Sequence, residues 1–182
     1  YRDKATVASK LRRRPEAESS VLRSIDLFDE LLKANPTLDA IRYELALTLS
    51  SSEALSLNQM IRANRAHDLS GQLLRKSPDL PRYRALRAHT LEALAAQQQR
   101  VGRLELAERN LGEALSIYVE LALESPELVV YQRRRSQTLE SLADLKLRQG
   151  EEKDAIEYLE RAARRLSPSL RRQGVSPLVR TQ

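Results

Sequence analysis

The chain is 182 residues long, 41% hydrophobic and 31% charged, with a net charge of +6, so it can bury a substantial core and keep a well-solvated surface. It has no Cys, which excludes disulfides, thiolate catalysis and Cys-based zinc sites, and no apolar run approaches the roughly 20 residues that span a bilayer. The positive balance rests mainly on Arg interleaved with 25 acidic residues, and with no Trp and a single Phe to stack on bases, association with nucleic acid is the weaker reading.

Few β-branched runs and no alternating apolar pattern predict an all-helical chain. Ala5, Ala8 and Leu11 stand at helical spacing, and Pro15 after three arginines predicts a turn and the first position of a new helix. That helix, about 16 to 34, carries Val21, Ile25, Phe28, Leu31 and Leu32 on one face and stops at Asn35-Pro36. Leu38, Ile41, Leu45 and Leu49 form the next stripe, and Met60 to Leu74 another, with a bend between Ser50 and Asn58. The cleanest hairpin follows, with helices over 80–100 and 104–124 joined at Gly102, a residue that adopts left-handed backbone without strain. Residues 127–168 repeat it with a turn at Gln149-Gly150, and the segment 169–182 reads as a C-terminal cap or flexible tail.

The last two hairpins are copies. Ser77-Pro78-Asp79-Leu80 returns 48 positions later as Ser125-Pro126-Glu127-Leu128, Tyr83 as Tyr131, Arg87 as Arg135, and Thr90-Leu91-Glu92 as Thr138-Leu139-Glu140. The match extends through Leu94-Ala95 and Leu142-Ala143, Gly102 and Gly150, and Ala107, Leu111 and Ala114 against Ala155, Leu159 and Ala162. A repeat of this period is the signature of a solenoid, and the closing prolines at 36, 78, 126 and 168 divide the chain into hairpins of about 1–36, 37–78, 79–126 and 127–168.

On these residues the chain resembles the tetratricopeptide repeat (TPR), with hairpins lengthened from the usual 34 residues. The long form with its S-P-[DE]-L-x-x-Y entry is similar to arrays attached to bacterial serine/threonine kinases and related signalling proteins. The resemblance implies an all-α, right-handed superhelix of about four hairpins whose first helices line a concave groove for a peptide or partner helix. Transferred to this chain, the groove residues are Glu44, His89, Glu92 and Gln99, then Arg133, Gln137, Glu140 and Asp144, with Glu44, Glu92 and Glu140 forming a column of carboxylates or else pairing with neighbouring arginines. Such a column favours a basic or neutral partner over an acidic one.

Other clusters read as surface. Arg133-Arg134-Arg135 cannot share one face, because successive helical residues point about 100° apart. His67 and His89 lack companions at metal-ligand spacing, and no phosphate loop, nucleophile elbow or paired acid and base occurs. The expectation is therefore a non-catalytic interaction scaffold with no metal or cofactor, part of a larger bacterial signalling protein in the cytoplasm or periplasm. A homodimerising spacer is the structural alternative.

Overall fold

The computed structural model describes residues 2–51 and 58–164, with side chains from residue 18 onward. They form seven helices and, among the described residues, no strand: α1 (Arg2–Ala34), α2 (Asp39–Ser51), α3 (Gln59–Lys76), α4 (Pro81–Arg100), α5 (Leu104–Glu124), α6 (Val129–Gln149) and α7 (Glu152–Ala163). Each helix packs on the next, and α2 also packs on α4, the first helix of the following hairpin. The fold is an all-α array of the helical hairpins α2/α3, α4/α5 and α6/α7, with α1 against its front.

Two kinds of connection repeat. Between hairpins, the carbonyls of Asn35, Ser77 and Ser125 accept from the amides of Leu38, Leu80 and Leu128 at 3.2, 3.3 and 3.0 Å. Each link is thus a four-residue turn with proline second, where its fixed φ is already correct. Within the last two hairpins, Gly102 and Gly150 take φ of 75° and 79°. The amides after them, of Arg103 and Glu151, close on the carbonyls of Gln98 and Lys146 at 2.8 and 2.9 Å, a Schellman ending. Lys146 reinforces the second turn by reaching Glu108 on α5 at 2.7 Å and Glu151 at 2.9 Å.

The core runs as a continuous seam of Leu and Ala. Ile25, Leu45, Leu49, Leu69, Leu73 and Leu86 close the front. Ala88, Leu91, Ala114, Tyr118 and Leu121 join α4 to α5, and Ala95, Leu111, Leu115, Leu139 and Leu142 carry the seam into α6. Alanines at 88, 95, 107 and 114 are fully buried, which lets the helix axes approach closely. Tyr83 is buried against Tyr43 of the preceding hairpin, their rings 6.3 Å apart. Leu111 is 2% exposed but its repeat partner Leu159 is 47% exposed: α5 lies between α4 and α6, whereas α7 has α6 alone to pack on among the described helices.

The front departs from the expected pattern. The turn predicted at Pro15 is absent, and α1 runs unbroken for 33 residues in place of a first hairpin. Proline already has helical φ and forfeits one backbone hydrogen bond. The flanking Lys10–Arg14 and Glu16–Glu18 offer no Gly, Asn, Asp or Ser to make a turn. Most of the stretch where the bend between Ser50 and Asn58 is expected lies outside the described residues, and Asn58 stands in left-handed backbone at φ 59° before α3. The expected cap or tail at 169–182 lies outside the described residues.

Glycine substitutions separate the two backbone roles. Gly150→Ala is expected to cost about 1 kcal/mol, because alanine is strained at positive φ. Gly112, inside α5 with open space where a Cβ would sit, should yield up to about 1 kcal/mol of added stability on Gly112→Ala. Urea unfolding of both variants checks the opposite signs.

Candidate functional site

A cleft of about 610 Å³ opens across the array, walled by the end of α2 (Leu49, Ser50), the start of α3 (Gln59, Arg62, Ala63), α4 and α6. A smaller recess of about 240 Å³ extends it towards the C-terminal ends of α4 and α6 and shares Glu92, Ala96, Arg100 and Ser141 with it. On α6 the lining residues are Arg134, Gln137, Ser141, Asp144 and Arg148, alternating three and four apart, as one helical face must. Fourteen residues at 1.5 Å make this wall about 21 Å long. On α4 the short side chains of Ala93 and Ala96 form the floor between His89 and Glu92 at one end and Gln99 and Arg100 at the other.

Glu92 holds three helices together. One carboxylate oxygen accepts from Thr138 Oγ1 of α6 at 2.6 Å and the other from Tyr118 Oη of α5 at 3.3 Å. Burial, reinforced by this carboxylate, pushes the Tyr118 hydroxyl well above the usual tyrosine range, so it stays a neutral donor. The equivalent junction one repeat earlier needs no carboxylate, since Ser70 and Thr90 meet directly at 2.8 Å. Both threonines are fully buried, and each bonds to the preceding hairpin. His89 lies beside Glu92, its Nδ1 3.8 Å from the carboxylate and its Nε2 3.0 Å from Ser51 Oγ.

The expected groove residues divide. His89, Glu92, Gln99, Gln137 and Asp144 line the cleft or its extension; Glu44, Arg133 and Glu140 do not. All three are exposed, and of the expected column of carboxylates Glu92 lines the cleft. Arg133 and Glu140 each sit one residue from a lining position, a rotation of about 100°. The residues missed are Arg134, Ser141 and Arg148, recoverable by stepping three or four along α6 from Gln137 and Asp144, and Arg62 and Arg100 on α3 and α4. Arg62 comes from the second helix of its hairpin, which a groove built from first helices omits. Burial lowers its pKa, with partial compensation from Glu18.

The three arginines diverge as helical geometry requires. Arg133 is exposed and Arg134 faces the cleft. Arg135 is buried, donating to the carbonyls of Arg161 at 2.6 Å and Arg164 at 2.8 Å at the end of α7. Burial, with Arg161 nearby, pulls its pKa down. His67 belongs to a separate recess with Arg75, Arg87 and Glu113, apart from His89, and no group of three metal-ligating side chains converges among the described residues. No described helix is long and apolar enough to cross a membrane.

No protein-family model and no curated protein matches the chain. Among solved structures it is similar to the one titled "Crystal structure of MamA", at 13% identity and a TM-score of 0.36, over 90% of this chain and 96% of that one. What the cleft can hold follows from its own side chains.

Replacing Glu92 by Ala strands the buried Tyr118 hydroxyl, and a loss of about 1 to 3 kcal/mol is expected. Glu140→Ala, at an exposed position with the same place in the repeat, should change stability by less than about 0.5 kcal/mol. Chemical unfolding of the two variants side by side measures the difference.

Proposed function

We propose that the chain is a non-catalytic protein-interaction scaffold whose partner segment lies in the cleft between α2, α4 and α6, within a larger bacterial signalling or regulatory protein. The observation that carries this is the continuity of the cleft over successive hairpins, with Ala93 and Ala96 as its floor. Short side chains there leave room for a partner backbone. A wall of about 21 Å accommodates roughly six extended residues at 3.3–3.6 Å each.

The chemistry of the lining supports binding over catalysis. Its titratable groups are His89, Glu92, Asp144 and arginines. Glu92 is already engaged by Thr138 and Tyr118, which leaves no free carboxylate beside His89 to act as a paired acid or base. Rigid helices on every wall limit the ordering that a partner must drive. The placement in a signalling protein of the kinase-associated type is supported by the long 42- and 48-residue spacing of the closing prolines.

A photo-crosslinking amino acid at position 96, on the cleft floor, is expected to give a discrete partner adduct in cells, and the same group at exposed position 109 of α5 is not. Ala96→Trp should fill the cleft and abolish the wild-type interaction at unchanged thermal stability. Equal crosslinking from both positions, or full binding by Ala96→Trp, contradicts the assignment.

A further inference from the structure

We infer that the segment occupying the cleft is an acidic stretch of a partner protein, an inference that rests on the cleft being the binding face. Four arginines line it, Arg62, Arg100, Arg134 and Arg148, against two acids, Glu92 and Asp144. Both oxygens of Glu92 already accept from hydroxyls of the fold, which hold the carboxylate against α5 and α6.

Several arginines on other faces of the array are paired with its own carboxylates. Arg84 is held by Glu120 and Glu124 at 2.7 Å each, Arg87 by Glu113 at 3.2 Å, and Arg65 by Asp29. In the cleft, Arg100 donates to the neutral Gln59. Along one wall of the cleft, Arg134 and Arg148 carry charge that no carboxylate of the described residues pairs. Arg134 and Arg148 stand at opposite ends of that wall with Arg100 across from them, a spacing that requires carboxylates distributed along a segment rather than one terminal carboxylate. Guanidinium groups bind carboxylates through paired hydrogen bonds.

A nucleic acid fits less well. Among the described lining residues His89 is the one ring on which a base could stack. The basic or neutral partner expected from the repeat alignment depended on three carboxylates, of which Glu92 lines the cleft and Glu44 and Glu140 do not.

Fluorescence anisotropy with labelled octaglutamate, octalysine and a single-stranded oligonucleotide, titrated with the full chain at low salt, tests the inference. Octaglutamate should bind, with affinity falling at least about tenfold in Arg134→Glu with Arg148→Glu. It should change by less than about twofold in Arg23→Glu with Arg109→Glu, which alters net charge equally at exposed positions away from the cleft. Equal loss in both pairs reduces the effect to net charge and overturns the inference. So does tighter binding of octalysine, or of the oligonucleotide, that Ala96→Trp abolishes; either result keeps the cleft as a binding face with a different occupant. Binding of none of the probes, with crosslinking from position 96 retained, rejects the acidic segment alone, whereas loss of both rejects the cleft.

Discussion

The carboxylate of Glu92 is the point on which the second and third hairpins depend. It belongs to α4, and its bonds to Tyr118 of α5 and Thr138 of α6 fix how far the third hairpin has advanced along the second. A partly buried charge is costly unless its lone pairs are satisfied. Here two hydroxyls satisfy it, one of them from a tyrosine that burial keeps protonated. The same carboxylate lines the cleft, so one side chain both sets the stacking of repeats and forms part of the surface they create.

The repeat is a repeat of constraints more than of residues. Proline as the second residue of a tight turn precedes each described hairpin, and left-handed glycine joins the helices of the last two. Between these fixed points the junction chemistry varies: Ser70 with Thr90 in one place, Tyr118 and Glu92 with Thr138 in the next. The larger phenol reaches past the position of the serine hydroxyl, and a carboxylate fills the gap between two donors. Position in the array matters as much as identity. Leu159 shares a repeat position with Leu111 but not its burial, because a helix needs neighbours on both sides to hide both faces.

Much of the fold was legible because periodicity and turn chemistry agree along the chain. The helices from Asp39 onward and the glycine turns follow from local rules. Pro15 misled because a proline is a weak stop when no turn-forming residue stands beside it. The cleft was legible only in part. Alignment to a repeat locates first helices, but a shift of one residue turns a side chain by about 100°, enough to put Arg133 and Glu140 outside and Arg134 and Ser141 inside. The engagement of Glu92 was not legible at all, since it joins residues 26 and 46 positions apart. Pairings at that separation depend on how helices stack, which no local pattern encodes.

The distribution of arginine then has a physical order. Arg84 and Arg87, facing α5, meet its carboxylates, Arg135 satisfies the carbonyls that end α7, and Arg134 and Arg148 on the cleft wall form no ion pair among the described residues. This order holds only if Glu92 is truly committed to the fold. A double-mutant cycle with Glu92→Ala and Thr138→Val, read by equilibrium urea unfolding, measures that commitment without reference to any partner. A coupling of at least about 1 kcal/mol is expected for a hydroxyl bonded to a charged, half-buried acceptor. Additive effects, with coupling near zero, would mean that the carboxylate is not held against α6.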